Sequence, residues 1–323
     1  MKGGKREKLL TGGVILGALG GLLVMSRKAA ALFVREAMDR REPRLMIRAK
    51  SRMTGPEPDL LSLEAASAAK RLRNSPMERV ELAARDGTLL VGHLRRGIDA
   101  RRVIIAMHGW RSSWYRDFGA SADFWYTNGC NVLYAEQRGQ GESGGDTMCY
   151  GLRERFDCAD WSRWAAERFP DMPIYLAGLS MGATTVLMAA GLEEVQQRVR
   201  GIMADCGFTS PEAIWRHVAK NTWHIPYQPW KKQIDRLTTA RLDCAPDAYS
   251  TVEALSQSTL PVFFIHGLDD HFVPPEMTRE NYLACPSPKK RLLLVPGAGH
   301  GMSFLVDRDA YERETLEFWK DLE

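Results

Sequence analysis

The chain has 323 residues, 45% of them hydrophobic and 26% charged, with a formal net charge of +4. Such a composition supplies a sizeable core and excludes a disordered chain. The positive excess gathers in the first 52 residues instead of forming a stripe on a folded face, which argues against a nucleic-acid-binding protein.

The chain opens with Lys2, Lys5, Arg6 and Lys8, then the uncharged run Leu9–Ser26, then Arg27 and Lys28. A run of about 18 residues is near the lower limit for a helix that crosses the hydrocarbon core. A charged pair directly behind it does not suit a signal-peptide cleavage region, so the run is expected to be an uncleaved single-pass membrane anchor. Gly13, Gly17 and Gly21 would share one face of that helix. Small residues so spaced let two such helices pair into a homo-oligomer, although glycine is also simply common in membrane helices. Nine Lys or Arg residues between Arg27 and Arg52, against four before the run, place the following chain on the cytoplasmic side. The stretch Ala29–Met53 mixes Leu32, Phe33, Met38, Leu45, Met46 and Ile47 with many arginines. It reads either as a segment lying on an anionic membrane surface or as a solvated helical linker. Residues 1–53 are therefore set apart as anchor and basic juxtamembrane segment, and 54–76 as linker and helix, since Gly55-Pro56-Glu57-Pro58 breaks the chain before the helical stretch Leu60–Arg73.

From Met77 onward the rhythm is that of a catalytic domain, 77–323. Val80–Ala83 and Leu89–Leu94 flank Asp86-Gly87, a hairpin signal. Short β-rich runs then alternate with helix-length segments: Val103–Met107, Asn131–Ala135, Ile174–Ala177, Ile202–Ala204, Val262–Ile265 and Leu292–Val295. That alternation predicts an α/β fold with a mostly parallel sheet covered on both faces. Residues 208–260 interrupt it and carry Trp215, Trp223 and Trp230, so an inserted helical cap is expected there. Six cysteines without a CxxC pair (Cys130, Cys149, Cys158, Cys206, Cys244, Cys285) are expected to be free thiols rather than zinc ligands or a disulfide framework.

Gly178-Leu179-Ser180-Met181-Gly182 follows one of those strands directly and runs into a helix-forming stretch, Ala183–Ala190. A serine on such a strand–turn–helix, with glycines relieving the crowding, is a nucleophile elbow. An alkyl hydroxyl needs a base to attack at neutral pH. His300, in Gly299-His300-Gly301 after the last strand, is the candidate base, and the acid belongs at the end of the preceding strand, where Asp269 and Asp270 are neighbours. The order Ser, Asp, His is that of the α/β hydrolases.

His266-Gly267 through Val273-Pro274 resembles the HGxxDxxVP signature of that superfamily, and in this register the acid is Asp270, with Asp269 as the fallback. His271 is then a surface or cap-facing residue. His108-Gly109-Trp110 resembles the superfamily's oxyanion loop, which implies that the backbone N–H groups of Trp110 and Met181 receive the oxyanion while His108 is structural. Glu136-Gln137-Arg138-Gly139-Gln140-Gly141-Glu142-Ser143 is similar to the D-x-R-G-x-G-x-S turn, with Glu in place of Asp. The resemblance covers about Met77–Glu323 and is nearest the monoglyceride-lipase and serine-aminopeptidase-like branch. It implies a serine hydrolase that acts on a small-molecule acyl ester or acylated substrate and needs no cofactor or metal. Trp110 and the cap tryptophans are the expected acyl-pocket residues. Peptide or amide hydrolysis by the same triad, and a non-catalytic membrane-tethered module, are the alternatives.

Overall fold

A computed structural model describes residues 27–42, 59–224 and 226–323. The expected anchor Leu9–Ser26, with Gly13, Gly17 and Gly21, lies outside the described residues. Among those that are described, no helix is long and apolar enough to cross a membrane.

Eight strands form one sheet in the order β1-β2-β4-β3-β5-β6-β7-β8. They are β1 (Glu78–Ala83), β2 (Leu89–Arg95), β3 (Arg102–Met107), β4 (Cys130–Ala135), β5 (Ile174–Leu179), β6 (Val199–Asp205), β7 (Val262–Gly267) and β8 (Arg291–Val295). The first two make the antiparallel hairpin expected around Asp86-Gly87, with Gly87 at φ 82°, and β2 also pairs antiparallel with β4. All remaining pairs are parallel. Helices join the parallel strands because a parallel crossover needs a long connection, and those helices bury both faces of the sheet.

The period of two along each strand divides the core. Val103, Ile105 and Met107 of β3, with Ile174 and Leu176 of β5, pack beneath helices Glu154–Arg168 and Met181–Ala189. Ile104, Ala106, Tyr175 and Ala177 face the other way, toward Phe318 and Trp319 of the helix Arg308–Lys320. Between β6 and β7 the expected cap interval holds helices Pro211–Asn221 and Lys231–Leu242. They cover a third apolar cluster on the side of the strands' carboxyl ends, where Ser180, Asp270 and His300 lie.

One element of that cluster comes from outside the expected catalytic domain. Residues 27–38 form a helix with Ala30, Phe33, Val34, Ala37 and Met38 buried. The sequence reading set this helix in the juxtamembrane segment as an interfacial or solvated stretch. Instead, five apolar side chains are withdrawn from water and from any membrane surface into the cluster formed with Trp215, Tyr150 and Phe208. The helix Leu60–Arg73, assigned to the linker, likewise buries Ala68, Ala69 and Leu72 against the body. All six cysteines are free, and all but Cys244 are buried.

Candidate active site

Ser180 stands at the end of β5 with φ 57° and ψ −117°. A non-glycine residue pays for such a backbone, and a turn this sharp needs its neighbours to be glycine. A Cβ on Gly182 would collide with the Met107 carbonyl, and one on Gly178 with the backbone of Gly182. The turn is tied to the next strand by the Ser180 N–H, which donates to the Asp205 carbonyl at 2.9 Å.

His300 reaches the serine from the turn after β8. Its Nε2 is 2.9 Å from Ser180 Oγ and its Nδ1 is 2.7 Å from Asp270 Oδ2. A carboxylate can only accept, so it draws the imidazole proton to Nδ1 and leaves Nε2 to accept from the serine hydroxyl. Asp270 is fixed in turn: the Phe272 and Val273 N–H groups donate to Oδ1 at 2.9 Å each, and His266 Nε2 lies 3.2 Å from Oδ2. Burial opposes the charge on Asp270, but hydrogen bonds from His266 and His300 outweigh it and hold the carboxyl well below the usual carboxylate range. Asp269 is exposed and His271 is exposed, whereas Asp270 is buried.

The His108-Gly109-Trp110 loop lies against the serine, since a Cβ on Gly109 would sit 3.3 Å from Ser180 Cβ. His108 bonds only within the scaffold, with Nδ1 2.9 Å from the Gly109 carbonyl and Nε2 accepting from Gln137 N–H at 3.2 Å. Met181 opens the helix after the serine, where the first backbone N–H groups have no partner in the helix itself. Glu136 ties the turn together: it accepts from Glu142 N–H, His93 and Trp114.

Two cavities meet at the serine, and Trp110, Ser180 and Phe272 border both. One, of about 300 Å³, includes polar residues: Ser112, Arg116, Asp117, Asp205 and His300. The other, of about 200 Å³, is walled by Phe33, Tyr150, Phe208, Trp215 and Trp223, with Glu36 as a charged residue on the same wall. Trp215 and Trp223 line the apolar cavity. Trp230 lines neither; it ends the 3-10 turn Gln228–Trp230 and packs against the rim of the cluster.

The sequence reading missed several residues of this site. Asp117 accepts from Gly109 N–H at 2.6 Å and from the Ser112 hydroxyl at 2.5 Å, anchoring the loop beside the serine. His266 was read only as a signature residue, yet it is the second imidazole on Asp270, and its spacing of four from that aspartate was the available signal. Asp205, at the end of β6, has its carboxyl pushed up to about 6 by burial, against the pull of His266 and a hydrogen bond from Ser303. Nothing local marks Asp117 or Asp205. Cys206, Asp270 and His300 lie close enough together to hold an ion, but both ring nitrogens of His300 are already engaged by Asp270 and Ser180. A metal there would have to dismantle that arrangement.

The family model described as serine aminopeptidase, S33, matches residues 98–243. An uncharacterized protein of Bacillus subtilis, YqkD, is 27% identical over 191 residues, 59% of this chain and 62% of that protein, so the match spans under two thirds of its length. The uncharacterized protein YfhR of Escherichia coli is 26% identical over 256 residues, covering 75% and 80% of the two chains. Among solved structures, the Pyrococcus furiosus esterase Pf2001 superposes with a TM-score of 0.64 at 22% identity, over 78% of this chain and 93% of the esterase. With the eight-stranded, mostly parallel sheet and its flanking helices, these likenesses establish that the chain has the α/β-hydrolase fold.

Proposed function

We propose that the protein is a serine hydrolase that cleaves carboxylic esters or thioesters through an acyl-enzyme, with Ser180 as nucleophile, His300 as base and then acid, and Asp270 as the orienting carboxylate. The observation that carries this reading is the hydrogen-bonded run Ser180–His300–Asp270 at the junction of an apolar and a more polar cavity. In the proposed sequence Ser180 Oγ attacks the acyl carbon as its proton passes to His300 Nε2. The oxyanion is received by the Trp110 and Met181 N–H groups, which are main-chain donors and need no reorganisation. Collapse breaks the bond to the leaving alcohol or thiol, which takes the proton from His300. Water then repeats the steps on the acyl-enzyme and releases the acid.

The two cavities suggest the assignment of substrate ends: acyl group among the aromatic side chains, leaving group on the side of Arg116 and Asp117. The apolar cavity, of about 200 Å³, is the space proposed for the acyl chain. A second reading, amide or peptide hydrolysis, is favoured by the serine aminopeptidase description of the matching family model. Membrane tethering through Leu9–Ser26 remains part of the proposal on sequence grounds and is checked by fractionating the full-length protein.

The test is labelling with a fluorophosphonate probe followed by kinetics on acyl esters and aminoacyl amides. Ser180 should be the labelled residue, and Ser180→Ala should lose on the order of 10⁴- to 10⁶-fold in kcat. Turnover close to wild type in Ser180→Ala would sink the reading. Amides hydrolysed faster than every ester would favour the second.

A further inference from the structure

We infer that the helix of residues 27–38 is a built part of the acyl site, and that Phe33 is the side chain on it that sets acyl-chain length; this rests on the serine-hydrolase reading above.

The argument starts from what a helix end requires. The last four carbonyls of a helix have no partner within it and must find donors elsewhere. Here those donors come from the catalytic body. Glu36 O accepts from Arg111 at 2.8 Å, and Ala37 O accepts from the Trp110 indole at 2.7 Å and the Tyr150 hydroxyl at 3.2 Å. Met38 O accepts from Met148 N–H at 2.7 Å, and Asp39 O accepts from Arg111 at 2.8 Å. The Arg111 guanidinium also suits the negative end of the helix dipole. Arg40 then donates to the carbonyls of Gly141, Ser143 and Gly145, and Arg241 of the cap reaches Asp39 at 3.2 Å. A passing linker would leave these groups to water; this one is docked group by group.

The dock has a consequence for the site, because one of its donors, Trp110, belongs to the proposed oxyanion loop and another, Arg111, follows it directly. Trp110 borders both cavities and is held by a carbonyl 73 residues away in sequence. On the apolar side of the helix, Phe33 is 4% exposed and meets Trp215, Trp223 and Tyr227 edge-on, with ring centroids 6.0, 5.2 and 6.2 Å apart. Phe33 borders the apolar cavity and not the polar one, so it bounds the space proposed for the acyl group and not that proposed for the leaving group. A ring at that place would stop an acyl chain that entered from the serine.

The experiment uses the full-length chain and a series of p-nitrophenyl butyrate, octanoate and dodecanoate, with fluorophosphonate labelling of Ser180 as the measure of an intact site. Phe33→Ala should keep its labelling and raise the dodecanoate-to-octanoate ratio of kcat/KM by about tenfold or more, the discrimination one apolar contact provides. Phe33→Trp should move the preference toward butyrate. Phe33→Leu, which keeps apolar volume in the cluster, serves if the alanine variant does not fold, and should move the ratio in the same direction as alanine by a smaller factor. A uniform loss across all three esters, or an unchanged length profile in a labelled variant, would mean that Phe33 only packs, and would overturn the inference while leaving Ser180 as nucleophile. If Ser180→Ala hydrolyses the esters at the wild-type rate, the underlying reading fails and this one fails with it.

Discussion

Exchanging Asp270 for Asn separates orientation from mere presence of a polar group, because the surroundings dictate which way an amide must point. Oδ1 accepts two backbone N–H groups at 2.9 Å, from Phe272 and Val273. An amide nitrogen cannot accept, so in Asp270→Asn the oxygen must take that place and the NH₂ must occupy the position of Oδ2. The NH₂ then faces His300 Nδ1, 2.7 Å from that position in the wild type. His300 must move its proton to Nε2, where it meets the Ser180 hydroxyl as a second donor instead of as a base. The expected loss is about 10⁴-fold in kcat, or roughly 5.5 kcal/mol of barrier. Stability should change as well. Asp270 is held below its ordinary value near 3.8, so its ionisation supports the fold above that pH, and the support is lost as pH falls through the lower folded value. Asp270→Asn should therefore be less stable than wild type at neutral pH, with the gap closing below about pH 4. Ester kinetics at pH 7, fluorophosphonate labelling rates and urea melts at pH 7 and pH 3.5 give the three readouts. Asp269→Asn is the control; its side chain is exposed, and its kcat should stay within a few-fold of wild type. A crippled Asp269→Asn beside an active Asp270→Asn would refute the argument.

Two further predictions concern buried charge. Asp205→Asn should raise stability above pH 6 and leave it unchanged below pH 4: burial has lifted this carboxyl to about 6, so its ionisation costs the fold as pH rises through that window. The gain should reach about 3 kcal/mol, read from melting temperatures against pH, and a variant less stable at pH 8 than wild type would contradict it. Arg138 holds Asp157 through two nitrogens, at 2.6 and 2.5 Å, and Asp86 at 2.8 Å. Arg138→Met leaves the Asp157 carboxylate buried without its partner and should cost about 3–5 kcal/mol, with the double variant Arg138→Met/Asp157→Leu recovering part of it. A single variant within 1 kcal/mol of wild type in urea denaturation would refute the assignment.

What the sequence determined by itself was whatever a short stretch of chain must do. The strands were legible from apolar runs of strand length, since a sheet covered on both faces leaves few polar positions within them. The elbow at Ser180 was legible because five consecutive residues specify it: a strand, two glycines where a Cβ would strike backbone, and a helix start. The HGxxDxxVP register favoured Asp270 over Asp269, and what the tertiary structure adds is the physical difference between their positions. The two are identical in chemistry, but the loop turns one to solvent and the other onto His300 and His266. Only it supplied Asp117 and Asp205, whose roles depend on what they meet across the fold. The sharpest case is the helix of residues 27–38. Its apolar and basic composition suits a membrane surface as well as a protein groove, and composition alone cannot choose between them. The choice is made by the Trp110, Arg111 and Tyr150 side chains, which come from distant parts of the chain and satisfy the carbonyls at the helix end. Unpaired backbone groups are costly to bury, and so the helix belongs where their partners are.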